Sequence, residues 1–119
     1  MTIRDKRFES GQVVSVMGFT PARLEGNEWV PIPHSSSDID EGDLYTINIP
    51  RGINAMLVQA ITQNIRYTLS PGANPSADSG FRLTAGNDPL AIPIDPNTSQ
   101  LIFTAEADGA RLEFQFGVI

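Results

Sequence analysis

Arg111-Leu112-Glu113-Phe114-Gln115-Phe116 alternates strictly between polar and apolar side chains. Successive side chains of an extended chain point to opposite faces, so this hexapeptide reads as a β-strand with Leu112, Phe114 and Phe116 inside and Arg111, Glu113 and Gln115 in water. The same period of two recurs upstream. In Leu44 to Pro50, Tyr45, Ile47 and Ile49 face away from Thr46 and Asn48. In Asn64 to Ser70, Ile65, Tyr67 and Leu69 alternate with Arg66 and Thr68, and Leu101 and Phe103 repeat the theme before the final strand. Weaker strand patterns run through Val13 to Phe19, Met56 to Ile61, Phe81 to Thr84 and Leu90 to Ile94.

Between the alternating runs lie turn-forming residues. Nine prolines and ten glycines are spread along the 119 residues, so hardly any window is long enough for a helix free of breakers. Ala107-Asp108-Gly109-Ala110 carries an Asp-Gly pair between two alternating strands, which predicts a hairpin. Ala85 to Pro89 and Asp95 to Ser99 mark further turns. Seven to nine short strands in one chain predict an all-β fold, an antiparallel two-sheet sandwich or jelly roll, with a closed barrel as second choice. The expected core holds Tyr45, Ile47, Ile49, Ile65, Tyr67, Leu69, Leu101, Phe103, Leu112, Phe114 and Phe116.

Two segments break the strand pattern. Residues 1–12 place Arg4, Asp5, Lys6, Arg7 and Glu9 around a single Phe8, and read as a charged arm before one sandwich domain over 13–119. Residues 31–43 read as a long polar loop, of the kind that is usually functional or mobile.

Eight basic against fourteen acidic residues leave a net charge of -6, which repels nucleic acid and anionic lipid, so neither is expected as a partner. No apolar run approaches the roughly twenty residues of a membrane-spanning helix, and no apolar stretch follows the N-terminal charges as in a secretory signal. Synthesis and assembly in a cytoplasm are expected. The absence of cysteine removes disulfides, thiolate metal sites and cysteine nucleophiles.

Catalytic constellations are not expected either. The one histidine, His34, stands beside Ser35, Ser36 and Ser37. A nucleophile and its base meet in space on a strained turn, however, and not as neighbours in a loop. His34 therefore reads as a solvated loop residue. Asp38, Asp40, Glu41 and Asp43 lack the closing glutamate and flanking helices of a calcium loop and read as a solvated acidic segment, leaving a basic partner or an adventitious cation as alternatives. Gly72, Gly80 and Gly86 are too far apart for a phosphate loop. No catalytic residue, metal ligand or cofactor is assigned. Trp29, next to Pro31 and Pro33, reads first as a core aromatic closing one end of the sandwich, with an interface anchor or a sugar platform as the alternatives.

Residues 64–83, Asn-Ile-Arg-Tyr-Thr-Leu-Ser-Pro-Gly-Ala-Asn-Pro-Ser-Ala-Asp-Ser-Gly-Phe-Arg-Leu, resemble a pattern of small bacteriophage virion proteins. There an Arg-Tyr-Thr-like strand is followed by a Gly, Asn and Pro turn and a Ser-Gly-Phe-like return, and the likeness extends over about residues 54–117. The resemblance implies a structural protein of the virion, of the capsid decoration or cement type. Its partners would be the major capsid protein or other virion subunits, and it would form a dimer or trimer. A neck, tail or fibre position is the alternative within the virion. A comparable strand and turn also resembles β-sandwich modules appended to chitin-degrading and related glycosidases, which implies a carbohydrate- or receptor-binding module instead. The expected partner contacts are Arg4, Lys6, Arg7 and Phe8 of the arm, Trp29, His34, and Pro71, Asn74 and Pro75 of the displayed turn.

Overall fold

The computed structural model describes residues 18–119, and within them the chain is all-β, with ten strands. A hairpin of β1 (Ala22–Glu25) and β2 (Glu28–Pro31) precedes eight strands. These are β3 (Ser35–Ile39), β4 (Tyr45–Asn48), β5 (Ala55–Ile61), β6 (Ile65–Ser70), β7 (Phe81–Leu83), β8 (Leu90–Pro93), β9 (Gln100–Ala105) and β10 (Ala110–Gly117). They form two antiparallel four-stranded sheets, ordered β3-β10-β5-β8 and β4-β9-β6-β7. The eight sandwich strands fall in the expected range; the hairpin adds two that hydropathy did not mark.

The pairings are nested: β3 with β10, β4 with β9, β5 with β8 and β6 with β7. The eight strands are thus one long antiparallel hairpin with its tip between β6 and β7, rolled up so that successive pairs land in opposite sheets. This is the jelly-roll topology. One consequence corrects a sequence expectation. Asp108-Gly109 does reverse the chain, and Gly109 takes the left-handed backbone that such a turn needs (φ +86°). Yet β9 and β10 lie in different sheets, so the turn is a crossing between layers and not a β-hairpin.

The core lies between the sheets, where alternation placed it. Ile47, Ile65, Tyr67, Leu101, Phe103, Leu112 and Phe114 are buried, joined by Ile39, Met56, Val58, Ala60, Leu83, Ile92 and Ile94. Tyr45, Ile49 and Phe116 pack against this cluster only partly buried, because their strand ends lie toward the rim. Leu69 is likewise half-buried. Tyr45 meets Phe114 across the layers at 6.3 Å between centroids, while Tyr67 and Phe103, cross-strand neighbours within the second sheet, stack at 5.7 Å.

Two local readings change. The expected loop at 31–43 contains β3, which is an edge strand held to β10 by backbone hydrogen bonds and burying only Ile39. Of the expected strand Val13 to Phe19, only the last two positions are described. Phe19 is fully buried, and Thr20 exchanges hydrogen bonds with Val118 at 2.8 and 2.9 Å. Gly117 makes this crossing possible, since a β-carbon there would sit 2.1 Å from the Thr20 carbonyl oxygen and 2.6 Å from the Phe19 ring.

Candidate docking surface

The hairpin stands apart from both sheets, and its register places Leu24 directly across from Trp29. Ala22 and Pro31 lie on the same face one step nearer the sandwich, and Ala22 is completely buried. Toward the tip that apolar face runs out over solvent, leaving Leu24 and Trp29 each 51% exposed. Trp29 is therefore not the core aromatic that its proline-rich surroundings suggested. The hairpin needs no ring in the core, because Phe19 and Ala22 already fill that position at its base. The tip turns at Gly26 (φ +62°), and Arg23 pairs with Glu25 on the opposite face.

The segment leaving the hairpin continues along the outer face of the first sheet. Ile32 donates its N–H to the Pro21 carbonyl at 2.9 Å and accepts the Gln115 amide at 2.6 Å. Two residues on, His34 pairs through Nε2 with the Glu113 carboxylate. His34 is thus not simply solvated, although its ring stays mostly exposed. It forms one wall of a groove of about 180 Å³, floored by Leu57, Gln59, Glu113 and Gln115 and closed on the far side by Pro89. Gln59 is anchored to that far wall, donating to the Asn87 carbonyl at 3.1 Å.

Sequence reasoning brought His34 and Trp29 forward as separate residues; the structure places Trp29 on the hairpin and His34 at the groove, joined by the segment Val30 to Pro33. Sequence reasoning could not foresee the groove, whose floor comes from β5 and β10, adjacent in the sheet but more than fifty residues apart in sequence. Arg4, Lys6, Arg7 and Phe8 lie outside the described residues.

The turn between β6 and β7 lies elsewhere. Pro71 follows a cis peptide bond and is exposed, as is Asn74. Pro75 is buried, which corrects its place among the contacts: it packs under Gly80, whose position a side chain would crowd at 3.2 Å from the Pro75 Cβ. Ser76 and Ser79 exchange backbone hydrogen bonds at 2.9 and 3.2 Å, so the turn is bonded within itself.

The acidic segment is largely a staple. Asp40 accepts the Gly109 N–H and Asp108 accepts the Glu41 N–H, both at 3.0 Å, while the Thr62 hydroxyl donates to the Gly109 carbonyl. Asp38 reaches Arg111 at 3.4 Å. Among the described residues, no three His, Asp or Glu side chains converge as metal ligands.

The outer face of the second sheet carries a cluster that sequence reading missed. Arg66 and Arg82 are cross-strand neighbours, and Glu106 binds both, at 2.6 and 2.9 Å from their Nε atoms. Asn64 donates to the same carboxylate at 3.2 Å. The Arg66 hydrogen bond, helped by Arg82 and Asn64 and opposed by burial, lowers the Glu106 pKa from 4.5 to about 2. The glutamate holds two like charges together across a strand pair, which is a structural task.

In comparisons with known proteins, the chain matches no family model, no curated protein and no solved structure.

Proposed function

We propose that this protein is a non-catalytic assembly module that docks on other protein subunits, acting as a capsid decoration protein that stabilises an assembled shell. The observation that carries the docking surface is the Leu24–Trp29 pair, two large apolar side chains half in water on a hairpin of their own. Tryptophan concentrates binding energy when a partner desolvates it, and a rigid jelly roll can hold such an anchor without rearranging. The assignment to a virion rests on the resemblance of residues 64–83. The self-bonded turn there, with Pro71 and Asn74 outward, suits a second contact. In this reading the arm with Arg4, Lys6 and Arg7 supplies basic charge toward an acidic neighbour.

The test is particle occupancy. Leu24→Ser combined with Trp29→Ser is expected to leave the thermal midpoint nearly unchanged and to lower the copies retained on purified particles at least tenfold. Undiminished occupancy of particles by the double variant contradicts the hairpin as anchor. Absence of the wild-type protein from particles contradicts the virion reading.

The groove favours a second reading, a carbohydrate-binding module. Gln59, Glu113, Gln115 and His34 offer planar hydrogen-bonding groups around the apolar Leu57 and Pro89. Titration with neutral oligosaccharides, followed through the side-chain amide resonances of Gln59 and Gln115, separates the two: saturable shifts support the module, and unmoved resonances remove it.

A further inference from the structure

Two open four-stranded sheets present four edges, and here they differ. The β8 edge follows Pro89 and ends in Pro93, the β7 edge is three residues long and carries Arg82, and the β4 edge has four residues and stops before Pro50. Short length, proline and charge are the devices that keep sheet edges from recruiting another strand. The β3 edge is the longest of the four, Ser35-Ser36-Ser37-Asp38-Ile39, with no proline or lysine and with small side chains that allow close approach.

The pattern of hydrogen bonds shows which β3 groups face outward. Gly117 accepts the Asn54 N–H on the β5 side, whereas Val118 exchanges both its bonds with Thr20 on the β3 side. Backbone groups alternate along a strand, so the even-numbered residues of β10 turn toward β3. Their partners in register are Ser35, Ser37 and Ile39. The N–H and C=O groups of Ser36 and Asp38 therefore point away from β10, and the turn and loop hydrogen bonds among the described residues take up none of them.

We propose that two copies of the chain associate about a two-fold axis by pairing their β3 edges antiparallel, with Ser37 of both copies on the axis. This register sets Ser36 opposite Asp38 of the other copy, twice, and satisfies all the outward groups with four hydrogen bonds between copies. Moving the axis to Asp38 sets two carboxylates face to face, which is unfavourable. Moving it to Ser36 leaves Asp38 opposite His34, outside the strand. In the favoured register each Asp38 keeps Arg111 on one side and meets a serine hydroxyl on the other. The two β3-β10-β5-β8 sheets then run on as one eight-stranded sheet, and the isologous contact closes at a dimer. Because each copy carries a charge of -6, added salt strengthens the association.

Sedimentation equilibrium of the purified chain at micromolar concentration tests this. A dimer is expected, stronger at 0.5 M than at 0.05 M salt. Ser36→Pro removes an N–H that β10 does not use, and is expected to give a folded monomer. Should that variant fail to fold, Ser37→Cys gives an independent reading. The chain has no other cysteine. Residues opposed on the axis in a wide pair lie about 4.5 Å apart at Cα, within disulfide reach, so mild oxidation is expected to give a covalent dimer. A wild-type monomer or trimer, a dimer unaffected by Ser36→Pro, or an oxidised Ser37→Cys variant that stays monomeric overturns the proposal.

Discussion

Single residues decide where this chain tolerates change. Gly117 is fixed by the Thr20 carbonyl, which a β-carbon would meet at 2.1 Å. Backbone cannot retreat as a flexible side chain does, so Gly117→Ala is expected to cost about 1–3 kcal/mol by overpacking. Urea denaturation checks this, and an unchanged midpoint would mean the 19–20 crossing does not sit on β10. Leu112, fully buried in the core, is expected to cost about 2–5 kcal/mol as Leu112→Ala, whereas Trp29→Ala is expected to stay near 1 kcal/mol or below because half the ring is already in water.

Glu106 makes a pH-dependent prediction. Its pKa is lower in the fold, about 2 against 4.5, so its contribution is complete above the ordinary carboxylate range and is lost as pH falls from 4.5 through about 2. Glu106→Gln is expected to be less stable than wild type near neutral pH, with the gap closing on acidification across that window. A gap that persists to the acid end would show that hydrogen bonding, and not charge, carries the cluster.

At the level of elements, legibility follows burial. The strands that bury one face, β4, β6 and β10, announce themselves by period two, and their inward residues are those the alternation named, whereas β5 shows only as a weaker pattern. β3 gives no such signal, because it joins the sheet through its backbone and Ser35 to Asp38 bury little. The hairpin strands are silent for the same reason, with one fully buried side chain, Ala22, between them. Asp108-Gly109 shows a different limit. Turn chemistry reports that the chain reverses, while the layer into which the next strand falls is set by pairings tens of residues away. Among the site residues, Trp29 and His34 were legible as unusual types in a polar stretch, but their exposure and the Glu113 partner depend on that same long-range assembly.

On the element scale the staple at the β9–β10 crossing is also testable. Asp40→Ala removes the acceptor of the Gly109 N–H and is expected to cost about 1 kcal/mol, and Asp108→Ala a similar amount. A double variant costing clearly less than the sum of the two is the expected sign that both hold one turn.

At the scale of the whole molecule, the described body measures 42 × 30 × 18 Å, a flat slab with the exposed Leu24–Trp29 pair on its hairpin and a five-residue edge at β3 free of proline. A slab of this kind suits lying across joints between larger subunits, adding contact area without altering their fold and so raising the barrier to opening. Image reconstruction of particles purified from cells that produce the protein tests that claim most directly. The account predicts density of these dimensions on the outside of the shell, bridging neighbouring capsid subunits with the hairpin tip against one of them. Particles whose shells carry no such density contradict it.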